Sequence, residues 1–386
     1  MLGATVIVIC VNVVLWVLTI MLMRQYARLG KIGCKQSADD IKHTSLPSVA
    51  VVILAQEEAD KLEKHLTLFL NQHYPQDYQV IVVDIHSTDG TLKLLEKMEE
   101  TYHNLSHSSV PASARDISMQ RLAMTLGVKT AYTDWVVFTQ ADCYPESQEW
   151  LASFMNAVTP EKNAILGFTK YAACDNWLMQ KRQFFRLWQQ MVWIPFAENH
   201  YPYRADDTIL AYRKDYFFSH NGFASDTKLM VGAATLLVNK NISCQQCGIS
   251  IGRKATLLQE NPLPHTWHQE EVFFMETRRH MTYKHLYRTW YALRVLVPIL
   301  FTLSCIASVI LLALQQQYII ISVLAILWLY PYIVRDKAYN KTARQFNIKS
   351  CHLTLPYLCT VLPLWEIMAW IKWRFTNKRE FRKKFV

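Results

Sequence analysis

The sequence shows no disulfide framework. Its nine cysteines are an odd number, and Cys10, Cys305 and Cys359 sit inside apolar segments. That usage points to a reducing compartment for the soluble part rather than to a secreted one. Cys244-Gln245-Gln246-Cys247 lacks a second C-x-x-C to complete a zinc site, so two unrelated thiols are the better reading. Acid is also in short supply: 31 Asp and Glu stand against 41 Lys and Arg, a formal net charge of +10. Excess base can mark nucleic-acid binding, but here it borders long apolar runs, at Arg24–Lys35, Arg335–Lys349 and Lys372–Lys384. Basic residues so placed suit an anionic lipid surface, and the distribution argues against a nucleic-acid partner.

The apolar runs themselves come next. Leu2–Met23 carries no charge, and at 1.5 Å per residue it spans roughly 33 Å, enough to cross a bilayer core. No basic residue precedes it and no small-x-small cleavage site follows, so residues 1–23 read as a retained anchor rather than a signal peptide. Arg24, Arg28, Lys31 and Lys35 put the following flank in the cytoplasm and the N-terminus outside. Residues 24–47 read as a basic and then polar linker, Gln36–Leu46 being its polar part. Ala292–Leu314 and Tyr318–Val334, split by Gln315-Gln316-Gln317, predict a transmembrane hairpin over 292–334. Residues 335–386 hold a basic loop, the apolar segment Leu353–Ile371 and a polybasic tail. That segment carries Pro356, Pro363 and Glu366 between two basic flanks, which predicts a re-entrant or interfacial path rather than a crossing.

Between these lies a domain over 48–285. Val49–Leu54 predicts a buried strand and Glu57–Asn71 a helix with Leu62, Leu66, Phe69 and Leu70 on one face. Val80–Asp84 reads as a second strand, Leu92–Tyr102 and Ala114–Thr130 as helices, and the run from Val136 as a further strand. The order β-α-β-α-loop-α-β predicts an α/β fold, a three-layer α/β/α sandwich around a parallel sheet. Asn176–Trp193, rich in aromatics and arginine, fits a core helix and a helix on lipid headgroups equally. Two of the strands run into a carboxylate, Asp84 and, just past Gln140, Asp142. Ligands bind at the carboxyl edge of open α/β sheets, so these two residues mark the candidate site. His265 and His268 have no acidic or cysteine partner nearby and read as solvated loop histidines rather than metal ligands.

From Ser48 to Thr282 the order of elements resembles the family 2 glycosyltransferases, specifically bacterial membrane-attached members with the Rossmann-like GT-A fold. Tyr78–Thr91 resembles V-I-V-V-D-D-G-S-T-D-G-T, Arg121–Ala131 the helix before the metal strand, and Thr139–Pro145 the T-D-A-D-C-x-P motif. Leu210–Lys214, Asn221-Gly222-Phe223 and Arg278–Thr282 resemble later landmarks. The resemblance implies an inverting hexosyltransferase of the inner membrane, multi-pass, with its catalytic domain in the cytoplasm. It would move a sugar from a nucleotide-sugar donor to a lipid-linked or polysaccharide acceptor, with Mg2+ or Mn2+ on a D-x-D pair. It further implies donor contacts at Asp84, Asp142, Arg278 and Arg279, and a metal contact at Asp142.

The sequence departs from that pattern at several chemical positions. Ile85 and His86 replace the second Asp and the Gly, and Gln140 replaces the first Asp of D-x-D. The acidic stretch that supplies the base aligns with Gly232–Leu237, so Ala233 and Ala234 stand where carboxylates belong. Asp206, Asp207 and Asp226 are the acids available to replace it, though nothing in the sequence brings them there. His86 is a candidate contact for the base of the nucleotide. These losses imply the alternative of a catalytically inactive relative that binds a nucleotide, a glycan or a partner glycosyltransferase. A processive synthase with an export channel is disfavoured by so few membrane segments.

Overall fold

The computed structural model describes all residues except 1, 24–25, 39–45, 112–116, 174–175, 225–226, 228, 263, 283, 353, 378–380 and 382–386. Within helices, residues 2–5, 8, 37–38, 264–268, 284, 286–288 and 360 are described in backbone only. The central sheet contains β1 (Val49–Ala55), β2 (Tyr78–Asp84), β3 (Leu105–Ser109), β4 (Trp135–Gln140), β6 (Ala164–Leu166), β8 (Leu210–Arg213) and β9 (Cys247–Ile249). Their spatial order is β3-β2-β1-β4-β8-β6-β9. A smaller sheet of β5 (Cys143–Pro145), β7 (Thr169–Tyr171) and β10 (Leu257–Gln259), in the order β5-β10-β7, stands beside it.

Strict alternation explains why the sheet is covered on both faces. Ala50, Val52 and Leu54 of β1 point into one core, and Val49, Val51, Ile53 and Ala55 into the other. β2 divides its Ile81 and Val83 from Val80 and Val82 in the same way. On the first face lie α5 (Met119–Thr130), α7 (Trp177–Asn199), α8 (Lys214–Ser219) and α9 (Ala233–Asn241), through Ala123, Val128, Phe184, Phe217 and Leu237. On the second lie α3 (Ala59–Leu70), α4 (Thr91–Glu99) and α6 (Trp150–Met155), through Leu62, Leu66, Leu95 and Phe154. This is the expected three-layer sandwich.

Four details correct the sequence reading. The sheet is parallel from β3 to β4 and again between β6 and β9, but β8 runs antiparallel to both β4 and β6. Alternation within a strand does not encode its direction, which explains the error. β3 was expected as loop, because Leu105-Ser-His-Ser-Ser109 holds one apolar residue; pairing with β2 along its length makes it a strand. α5 begins at Met119, where the Ser118 hydroxyl accepts from Arg121 N at 3.5 Å, and the expected start at Ala114 lies outside the described residues. The first part of the expected linker is a helix, α2 (Tyr26–Ala38), which packs against α7 and a later helix, α12 (Tyr318–Gln345). Gly30 and Gly33 let it approach Thr342 and Phe346, while Tyr26 lies on Trp188 with ring centroids 4.4 Å apart.

α7 settles as a core helix: Phe184, Leu187, Trp188, Met191 and Trp193 are buried. The remaining helices are α1 (Leu2–Met23), α10 (Pro264–Thr277), α11 (Lys284–Leu314) and α13 (Leu355–Phe375). Among the described residues, three segments are long and apolar enough to cross a membrane: Ile9–Gln36, Thr289–Leu314 and Tyr318–Gln345. α1 packs on α11 and α12, with Asn12 Nδ2 donating to Ser308 Oγ at 2.7 Å. α13, the expected interfacial segment, lies along α10 and α7 of the domain. Among the described residues the cysteines are free, and Cys244 bonds the Glu198 carbonyl rather than Cys247.

Candidate active site

β1, β2 and β4 end level with one another, since Ala55 pairs with Asp84 and Leu54 with Gln140. Asp84 is only 2% exposed, and both its oxygens lie 3.3 Å from the N–H of Ser87. The loop beyond β2 is fastened to the end of β1. Thr88 N donates to Glu57 at 2.8 Å, and Ala59 N to Asp89 at 2.9 Å. Burial would raise the Asp89 carboxyl, but the Ala59 and Thr91 donors hold it below its usual range. His86, in the glycine place, adopts a left-handed φ of 66°.

Asp142 lies one strand further on, in the turn from β4 to β5. Its Oδ2 accepts from Gln259 Nε2 at 2.9 Å, and its Oδ1 from the Cys143 thiol at 3.3 Å. Gln259 in turn accepts from Arg186 of α7. The Arg186 guanidinium also reaches Thr169 Oγ1 at 2.7 Å and Asp206 at 3.2 Å, and lies 4.5 Å from the Tyr171 ring centroid. A second cation stands on the other side of Asp142. Burial would lower the Lys61 ammonium, yet its 2.6 Å contact with Glu58, with Asp142 and Glu260 nearby, holds it above its usual range.

A cleft of about 350 Å³ is lined by Gln140, at the end of β4, and by residues of α7. Its wall includes Arg186, Arg204, Asp206, Asp207, Glu270 and Trp365 of α13. Opposite shifts mark the two consecutive aspartates. Burial pushes Asp206 up, but Arg186 and Thr208 outweigh it and hold that carboxyl low. Burial likewise pushes Asp207 up, the Asp206 charge adds to it, and the net shift is upward. Asp207 Oδ1 accepts from Ala234 N at 2.7 Å, at the first turn of α9. Burial also pushes the Glu270 carboxyl up, to about 7, although the residue as a whole stays exposed.

The structure therefore brings Asp84, Asp142 and the aligned pair Ala233–Ala234 around one sheet edge and the cleft beside it. It does not bring the arginine pair there. Arg278 lies 4.4 Å from the Tyr291 ring centroid, while Arg279 pairs with Glu276 at 3.5 Å and faces the Trp373 ring. Both sit among the aromatic rings of α11 and α13, rings which attract guanidinium groups in their own right. Asp226 and the side chains of His265 and His268 lie outside the described residues. Arg186 and Gln259 escaped the sequence reading, which named Asp207 only as one of three acids available to replace the lost base, with nothing to bring it there.

A divalent cation finds few ligands here. Among the described residues no three His, Cys, Asp or Glu side chains gather as a metal site. Gln140 brings no charge, and both oxygens of Asp142 already accept hydrogen bonds. One carboxylate and one amide do not fit a cation held by the protein, which would take most of its ligands from phosphate and water.

Comparison with known proteins gives the fold its relatives. Residues 50–223 match the family model described as Glycosyl transferase family 2. Glycosyltransferase AglE of Haloferax volcanii is 28% identical over 117 residues, 30% of this chain and 37% of that protein. A dolichyl N-acetyl-alpha-D-glucosaminyl phosphate 3-beta-D-2,3-diacetamido-2,3-dideoxy-beta-D-glucuronosyltransferase of Methanococcus voltae is 27% identical over 99 residues, 25% of this chain and 30% of that one. The chain thus matches about a third of the length of either relative. Among solved structures, mannosyltransferase PcManGT from Pyrobaculum calidifontis, in complex with GDP-Man and Mn2+, superimposes with a TM-score of 0.56 at 18% identity. That match covers 94% of this chain and 99% of the other. The shared architecture is the GT-A α/β fold.

Proposed function

We propose that the chain, whose residues 50–223 match glycosyl transferase family 2, moves a sugar from a nucleotide-sugar donor to a lipid-linked or polysaccharide acceptor. The reaction takes place at the cytoplasmic face of the inner membrane, in a multi-pass protein. One observation carries this reading: a single cleft is lined both by Gln140, on the strand edge, and by Trp365 of α13, the helix whose Glu366 pairs with Arg294 of α11. A donor lying on Asp84 and Asp142 and an acceptor arriving from the lipid would meet in a single cavity. The PcManGT complex, with GDP-Man and Mn2+ bound, supports a nucleotide diphosphate as the donor's handle.

Asp84, at the mouth of β2, holds the nucleoside end; Asp142 faces the diphosphate. The leaving diphosphate gains negative charge as its bond to the sugar breaks, and fixed cations facing that charge lower the barrier. Lys61, Arg186 and Arg204 take this part. Mg2+ or Mn2+ would add Lewis-acid stabilisation of the same charge if bound with the donor.

The test is thermal stabilisation of detergent-purified full-length protein by a panel of nucleoside diphosphates and their sugars, each with Mn2+ and with chelator. At a hundredfold excess over Kd a ligand adds about 2.7 kcal/mol to the folded state. Stabilisation by one nucleotide that survives chelation is expected, followed by transfer of its sugar to membrane-lipid extracts. Absence of any shift at millimolar nucleotide would sink the enzyme and leave a scaffold of transferase fold, the reading favoured by the neutral Gln140, Ala233 and Ala234.

A further inference from the structure

Transfer with inversion needs a group to take the acceptor's hydroxyl proton, and alanines fill the place of that acid. We propose that Asp207 is the base, its carboxylate supplied from the loop before β8 to the position that Ala233 and Ala234 have vacated. This assignment rests on the transferase reading above.

The geometry is specific. Asp207 Oδ1 stands 2.7 Å from the backbone N–H of Ala234, the residue aligned with the missing acid. The turn that presents this N–H is fixed on both sides. Gly232 takes a left-handed φ of 66° that a side chain would clash with, since a Cβ there would lie 2.3 Å from Thr277. Val231, just before it, has its carbonyl bound by Arg121 at 2.8 Å. Asp207 also lines the cleft that joins the strand edge to the membrane-flanking helices.

Its surroundings suit a proton acceptor. The groups facing it are Asp206 from its own loop, Gln120 and Arg121 of α5, and Ala234 of α9. Arg186, Arg204, Glu270 and Glu271 stand around the same cleft. Asp206 is committed to Arg186 and Thr208 and stays ionised, whereas burial raises the proton affinity of Asp207. Two neighbouring carboxyls whose environments separate their proton affinities are the usual arrangement for dividing structural and acid–base roles. In the step itself, the acceptor O–H gives its proton to the Asp207 carboxylate as its oxygen bonds the anomeric carbon. The bond from that carbon to the diphosphate oxygen breaks, and its electron pair leaves with the nucleotide.

Asp207→Asn separates base from cap, because asparagine caps a helix as well as aspartate does but accepts no proton at neutral pH. In full-length protein supplied with the nucleotide sugar found by the stabilisation screen, D207N should lower kcat by about 10²- to 10⁴-fold. Nucleotide stabilisation and melting temperature should stay at wild-type values. The acid limb of the wild-type kcat profile should lie above the ordinary aspartate value of about 3.9 and disappear in D207N. Adding Ala234→Asp to D207N should restore part of the rate. D207N turning over like wild type would overturn the assignment, and loss of transfer in Glu270→Gln instead would give the role to Glu270. Nucleotide binding without turnover in the wild type would overturn the base while leaving the donor site standing. Neither binding nor turnover would remove the transferase reading itself.

Discussion

His86 carries a backbone strain that its glycine-bearing relatives in the resembled motif would not. A side chain in the left-handed region costs about 1–2 kcal/mol, and the extra chain entropy of an unfolded glycine takes back about 0.4–1 kcal/mol. His86→Gly should therefore leave stability unchanged or raise it by up to about 1.6 kcal/mol, as read from thermal denaturation. If the imidazole contacts the nucleobase, the same variant should lose part of its nucleotide-induced stabilisation; retained stabilisation would make the ring a bystander. Asp84 and Asp142 were legible at this scale because each follows an uncharged apolar run, a signal local in sequence. Asp207 was legible only as one of three spare acids, and its place beside Ala234 was not. Its partner Ala234 lies 27 positions away, and only the packing of α9 against the loop before β8 joins them.

Among the elements, α5 depends on a close approach to β1. A Cβ on Gly127 would lie 2.3 Å from Val52 Cγ1, and Val52 is a β-branched side chain, fully buried in the sheet and without room to turn aside. Gly127→Ala should thus destabilise by about 1–3 kcal/mol, despite the better helix propensity of alanine. A denaturation midpoint equal to wild type would mean that α5 can slide away from the sheet. β1, β2 and β4 could be read from their apolar runs, because strands covered on both faces need them. β3 could not, since its polar residues are admitted by the backbone bonds of β2. α2 looked like a linker for a related reason. Its docking face adds two glycines to Tyr26 and Leu29, and the glycines carry little hydropathy but allow α12 to come near.

At the scale of the whole molecule, hydropathy identified the segments apolar enough to cross a membrane but not how the α/β domain packs against them. That seating includes a buried ion pair, Arg294 of α11 with Glu366 of α13, 2.9 Å apart, the side chains 12% and 6% exposed. The guanidinium also faces the rings of Trp290 and Tyr291. Glu366 was a reason to doubt that Leu353–Ile371 crosses a bilayer, and its partner explains how the charge is tolerated where α13 meets α11. Removing one member leaves the other charged in a dry environment, which costs about 3–5 kcal/mol, whereas replacing both with apolar residues is often near neutral. Arg294→Met alone should therefore lower the melting temperature in lipid nanodiscs and expose α13 to limited proteolysis. Arg294→Met with Glu366→Leu should recover most of the loss. Because Arg294 and Glu366 also border a small cavity that shares Arg204, Glu271 and Phe274 with the cleft, the single variant should slow transfer by displacing α13 and with it Trp365. If R294M melts and resists protease like wild type, the pair is solvated, and the seating of the domain rests on the apolar contacts of α13 alone.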